Sequence, residues 1–335
     1  MADNNSGNRQ ASTRSRLVRQ LESLPASTTQ EFSTGIRRVV EGLAQPERRL
    51  RKLVKDTTLN SSVRFAALYG WLLRLRREER YAEYEAVVRR YAEEFAGEPY
   101  VYTFHAIIAK NKGDTANLRS AVEYSRQAAE LMPEVAGVIH QLAAFIVEYF
   151  ERSETVVTEE LGEAGRAVDR AIAITRGRTG HYFETKARLL ALRGDYASAR
   201  IAVGQAIELE PRTSVDYHRR LTEYQATRVR IDLLQQRSHW NDQLEQNRRE
   251  LAEFKAQQLQ LLGLLAAVVA FVAATANIAS KTSQADGIRL IQAMAGSLIV
   301  VFASFSLVST KSTWRIACMY AVGFLMLAVP YLLKR

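Results

Sequence analysis

Cysteine occurs once in the 335 residues, at Cys318, so no disulfide can form within the chain and a cysteine-based zinc cluster is excluded. The five histidines, His105, His140, His181, His218 and His239, lack metal-ligand spacing. Also missing are a phosphate-binding glycine loop, a G-x-S-x-G elbow, an H-E-x-x-H pair and paired acids in a strand context. Few segments read as strands. These absences point away from an enzyme, and no cofactor or metal is expected. Proline is scarce as well, six in all, and from Arg212 to Leu262 there is neither proline nor glycine. The first 15 residues are polar and lack the apolar core of a secretory signal. Whatever precedes the first hydrophobic run is therefore expected in the cytoplasm.

The net charge of +10 is unevenly spread. Residues 1–60 carry 11 basic and 6 acidic side chains, residues 259–335 carry 6 and 1, and residues 61–258 carry 29 of each. The excess sits at the amino end and beside the hydrophobic segments. That placement suits a membrane surface and disfavours a nucleic-acid groove in the middle.

The stretch LALRGDYASARIAVGQAIELEP, from Leu190 to Pro211, sets out the organisation of that middle. Ala199 and Ala206, seven apart, share one helix face and let a neighbouring helix come close. Gly194 and Asp195 supply the preceding turn. Ala121 and Ala128 precede Pro133 at the same spacing, and Ala164 and Ala171 fall between the two pairs. Pro99 and Pro133 are 34 residues apart. Four helical hairpins follow, at roughly 62–99, 100–133, 134–177 and 180–211, with surplus residues in the polar run Glu151 to Glu160.

A period near 34 built from such pairs resembles the tetratricopeptide repeat. In the last unit Phe183, Ala187 and Leu190 lie on the first helix, Gly194 and Tyr196 at the turn, and Ala199, Ala206 and Pro211 on and after the second. GDTANLRSAVEYSRQAAELMP matches with a longer turn; the third unit has Arg176 where the proline belongs, and the first lacks the small pair. The resemblance implies a solenoid whose first helices line a concave groove for a protein or peptide, with Glu184, Arg188 and Ala191 facing it. The alternative is a groove filled by the chain's own amino-terminal helices. Those read from Phe32, Ile36, Val39, Val40 and Leu43 on one face and from PERRLRKLVKD, opened by Pro46. They are expected to cap the solenoid rather than bind a membrane.

The stretch without glycine or proline reads as a helical stalk. Trp240, Leu244, Asn247, Leu251, Phe254, Gln258 and Leu261 alternate four and three apart, a heptad seam suited to homo-oligomerisation. Tyr224, Ile231 and Leu234 join that frame only through a stutter near Arg237. Packing back onto the repeats is the competing arrangement.

Three uncharged segments of 18–20 residues complete the chain: Leu261 to Ser280, Leu290 to Ser309 and Ile316 to Leu333. Each matches about 30 Å of hydrocarbon. Gly263 with Ala267, Ala270 with Ala274, and Ala293 with Ser297 are the spacings expected to let spans pack closely. The absence of charge inside them argues against a proton-coupled transporter.

The expected chain is thus all-α. A disordered tail (1–15) and capping helices (16–60) precede repeats (61–211), a stalk (212–258) and a multi-pass transmembrane domain (259–335). Its expected role is a membrane-anchored protein-interaction scaffold. The runner-up is a sensor-controlled effector whose spans oligomerise and perturb the bilayer.

Overall fold

The structure, a computed structural model, describes residues 16–153, 157–213, 216–281, 283–309 and 313–332. The predicted tail 1–15 and Leu333 of the last predicted span lie outside them. Among the described residues the chain is all-helical, without a strand. Contacts divide it into two units, up to Arg237 and from Ser238 onward.

The first unit opens with α1 (16–22), α2 (Gln30–Glu41) and α3 (Pro46–Lys55). Both longer helices follow the apolar spacing of the sequence, burying Phe32, Ile36 and Val40 from α2 and Leu50, Leu53 and Val54 from α3. Four helix pairs come next. They are α4 (Ser61–Arg77) with α5 (Tyr81–Tyr91), α6 (Tyr100–Lys112) with α7 (Thr115–Leu131), α8 (Ala136–Arg152) with α9 (Thr158–Ile174), and α10 (Gly180–Leu192) with α11 (Tyr196–Leu209). Each pair matches one of the four sequence units, the first starting one residue early at Ser61, and the two members of each pair pack together.

Alanine and the turn residues explain the closeness of these pairs. Ala121, Ala128, Ala164, Ala171, Ala199 and Ala206 are all fully buried. The α6–α7 and α10–α11 turns share one device. Gly113 and Gly194 adopt φ of +84° and +80°, which costs glycine nothing. The aspartate that follows then caps the next helix: Asp114 Oδ1 accepts from the Asn117 amide at 2.7 Å, and Asp195 Oδ1 from the Ser198 amide at 3.0 Å. Between α4 and α5 no glycine is present, and Glu79 takes the left-handed position at φ +57°.

α12 runs without interruption from Tyr217 to Ala279, as the lack of glycine and proline up to Leu262 allows. Its early residues Tyr224 and Ile231 are buried in the first unit with Ala187, Ala199, Ala202, Val203 and Ala206. The second unit holds the rest of α12, α13 (Gln284–Ser309) and α14 (Thr313–Leu332). Two helices, over Tyr217–Asn277 and Asp286–Ala303, are long and apolar enough to cross a membrane. The third predicted span falls in α14, where the described apolar run Ala317–Ala328 is shorter.

Candidate functional site

Glu184, Arg188 and Ala191 occupy successive turns of α10 and share one face. That face is covered by α12. Thr227, Arg230, Ile231 and Leu234, spaced three, four and seven residues from the first, form the stripe of α12 that meets it. Ala191 is buried, and a small cavity of about 100 Å³ remains between Phe150, Arg188, Ala191, Ile231 and Leu234. In the last pair, therefore, the residues expected to line a partner groove line an intramolecular seam instead.

The seam is ionic. Arg188 donates from Nε and Nη2 to the two carboxylate oxygens of Glu151, at 3.0 and 2.6 Å, joining α10 to the end of α8. Arg230 of α12 reaches the same carboxylate at 3.3 Å. Thr227 donates its hydroxyl to Glu184 Oε1 at 2.8 Å, and Arg188 lies 3.8 Å from that oxygen. Burial pushes the Glu184 carboxyl up in pKa, opposed by Arg188 and the Thr227 hydrogen bond. Burial works against the charge of Arg188 too, but Glu151 and Glu184 override it and hold the guanidinium protonated. A second pin lies nearby, where Tyr224 donates to Glu210 Oε2 at 2.9 Å.

Beside the seam stands a histidine cluster. His140 Nε2 lies 2.8 Å from Thr185 Oγ1, and its ring stacks on Tyr182 at 4.4 Å and meets His181 edge-on at 5.0 Å. Burial pulls His140 down to about 3, with Arg76, Arg188 and Arg220 adding repulsion. His181 is lowered well below its usual value, by burial and then by His140. Both imidazoles are neutral at physiological pH. Among the described residues no group of three or more His, Cys, Asp or Glu could hold a metal.

Over the earlier pairs the chain covers its own first helices by another route. Phe32 of α2 stands 6.2 Å from Phe65 and 5.9 Å from Tyr100, ring centre to ring centre. Gln30 Oε1 accepts the Ala136 amide at 2.8 Å, satisfying a free N–H at the start of α8. Ser27 donates to Glu98 at 2.6 Å. The amino-terminal helices thus lie on the helix pairs, the arrangement the sequence offers as the alternative to an open groove.

In the second unit, the expected oligomerisation residues form an exposed stripe. Trp240, Leu244, Leu251 and Phe254 are 66, 52, 55 and 57% exposed, and Asn247 and Gln258 are exposed between them. The expected span-packing positions fare differently. Nothing lies within 4 Å of a Cβ placed on Gly263; Ala270 is exposed, and Ala267 and Ala274 are half-buried. Ala293 is half-buried and Ser297 exposed. The close approach is at Gly296 and Gly323 instead. A Cβ on Gly296 would stand 2.9 Å from the Gly323 carbonyl, so α13 and α14 meet backbone to backbone. Four-residue spacing of small residues located the helix but not the crossing point.

Sequence reasoning also missed Glu151, Thr227 and Arg230. Glu151 sits in the polar run read as surplus, and nothing local distinguishes it from a solvated charge. Thr227 and Arg230 lie on the same α12 stripe as Ile231 and Leu234, which is the signal that was available.

Comparison with protein-family models and with curated proteins returns no match for this chain.

Proposed function

We propose that this chain is a membrane-anchored interaction protein, with its tetratricopeptide-like helix pairs in the cytoplasm and its carboxy-terminal helices crossing the bilayer several times. One observation carries the reading. α12 begins among buried residues of the helical domain, at Tyr224 and Ile231, and ends in an apolar stretch that the chain itself leaves uncovered. Arg248, Arg249, Lys255, Lys311 and Arg315 fall on one side of the three predicted spans and Lys281, Arg289, Lys334 and Arg335 on the other, so the flanking charge barely biases the orientation. The protein or peptide partner then meets the outer surface of the pairs, or displaces α2 or α12 from the inner one.

Self-association fits the exposed heptad. With Leu244, Leu251 and Gln258 at a, and Trp240, Asn247 and Phe254 at d, Glu250 falls at g and Lys255 at e. Two parallel copies set Glu250 against Lys255 of the other copy, whereas antiparallel copies oppose Arg248 and Lys255 to cations. In a Cys318→Ser background, Asn247→Cys tests this in membranes of cells expressing the full chain. A disulfide-linked dimer is expected; its absence, with efficient crosslinking at an outward position such as Arg249→Cys, refutes the pairing. Extraction of the chain by alkaline carbonate would refute anchoring itself.

A second reading is favoured by the seam. Thr227 ties α12 to Glu184 of α10 and Arg230 ties it to Glu151 of α8, so an event that loosens them acts on the same helix that carries the first apolar stretch. In a sensor-controlled membrane effector, Arg188→Ala in the full chain collapses the membrane potential of the expressing host. An unchanged potential in cells that hold the variant in their membranes removes this reading.

A further inference from the structure

α3 carries its charge in a pattern that packing does not explain. Arg48, Arg51, Lys52 and Lys55 recur at i, i+3, i+4 and i+7, so they form one exposed face, while Leu50, Leu53 and Val54 hold the opposite face in the core. This face lines a cleft of about 720 Å³ between α3 and the end of α4, where Arg74 adds a further cation.

Two acids also line the cleft, and both are already engaged. Arg80, from outside it, donates to Glu47 at 2.8 and 3.3 Å and to Glu78 at 2.9 Å. Arg74 bridges to Glu78 as well. Of the five cations of α3, the four on this face form no ion pair among the described residues. They stand instead as like-charge neighbours at i+3 and i+4, each such pair unfavourable by roughly 0.2–0.5 kcal/mol. Arg51 is held in place by a different contact, its guanidinium lying 5.8 Å from the centre of the buried Trp71 ring.

A concave surface with neutralised acids, unpaired cations and a pre-oriented guanidinium is complementary to a multiply charged anion. We infer that the α3–α4 cleft is a binding site for a phosphate-bearing ligand, either a free oligophosphate or the headgroup of an anionic lipid. Arg51 supplies planar two-point contact to phosphate oxygens, and Lys52, Lys55 and Arg48 supply charge around it. Bound phosphate also relieves the repulsion along α3. None of this depends on the membrane role proposed above.

The test uses the full chain in neutral detergent micelles. Pyrophosphate is titrated in one arm, and in the other phosphatidylglycerol or phosphatidylcholine is added to the micelles, with thermal unfolding and tryptophan fluorescence followed in both. The expected result is saturable stabilisation by pyrophosphate or by phosphatidylglycerol, and none by phosphatidylcholine. Which arm responds identifies the source. The affinity should fall at least tenfold in Arg51→Gln/Lys52→Gln and hold in Arg89→Gln/Arg90→Gln, which removes two cations from α5. Both variants alter exposed side chains, and circular dichroism checks their helicity. Failure of both arms, or an affinity unchanged in Arg51→Gln/Lys52→Gln, overturns the proposal.

Discussion

Arg188 grips Glu151 with two parallel hydrogen bonds, of 2.6 and 3.0 Å, between side chains that are only 20 and 9% exposed. A pair so placed has lost most of its water, and each charge depends on the other. Removing Arg188 leaves Glu151 only the single contact to Arg230, at 3.3 Å, and breaking a buried pair costs up to about 3–5 kcal/mol. Arg188→Ala should therefore lower the denaturation midpoint of the full chain sharply. The double variant Arg188→Met/Glu151→Leu should recover most of the loss. Equal damage in the single and double variants would show that stranded charge is not the cause.

Gly180 opens α10 beneath α11, where a Cβ would stand 2.6 Å from the Ala206 carbonyl oxygen. Backbone cannot yield cheaply there, so Gly180→Ala should cost roughly 1–3 kcal/mol. Gly204 on α11 has nothing within 4 Å of its Cβ position, and Gly204→Ala should gain about 0.5–1 kcal/mol from helix propensity. Thermal unfolding of the two variants decides the matter, since opposite signs are required.

Among the apolar helices the contrast is between Gly296 of α13, which meets the backbone of Gly323 of α14, and Gly263 of α12, which meets nothing within 4 Å. Gly296→Leu should force the two helices apart and lower the unfolding temperature in micelles. Gly263→Leu should be tolerated. Equal sensitivity would refute the crossing at Gly296.

The neutral imidazoles make stability depend on pH. A histidine whose pKa falls on folding binds protons more readily when unfolded, so its contribution is intact above pH 6.5 and lost as pH drops. With His140 held near 3, the loss at pH 5.5 is on the order of 1 kcal/mol, and His181 adds in the same direction. Glu184, raised in pKa, acts in the opposite sense. Comparing stability at pH 7.5 and 5.5 in the wild type and in His140→Gln isolates the share of His140. An identical pH response in both would sink the assignment.

The helix pairs were legible because their determinants are local. Gly194 and Asp195 specify a turn within two residues, and Ala199 and Ala206 specify a close face within two turns. The stutter near Arg237 was legible too, and its cause is now plain. Tyr224 and Ile231 answer to buried partners in the first unit, while Leu244 and Leu251 answer to none within the chain. What was not legible depends on residues far apart in sequence. Thr227 and Glu184 are 43 residues apart, and Arg188 and Glu151 are 37. No periodicity within α10 says that its polar face will be covered by α12. The same holds for Gly296 and Gly323, since a small-residue stripe offers several equivalent crossing points and only the neighbouring helix selects one.

Phe32 and Gln30 seat α2 on the helix pairs, which has a quantitative consequence for any molecule that binds beneath it. Such a ligand meets only the fraction of chains in which α2 has lifted, and its apparent dissociation constant is the intrinsic one divided by that fraction. If about one chain in a hundred is open, an intrinsic affinity of about 1 μM reads as about 100 μM. Weakening the seat at Phe32 would raise that affinity without touching a single ligand contact. The amino-terminal helix is in this sense a competitive occupant, present at an effective concentration that no dilution can lower.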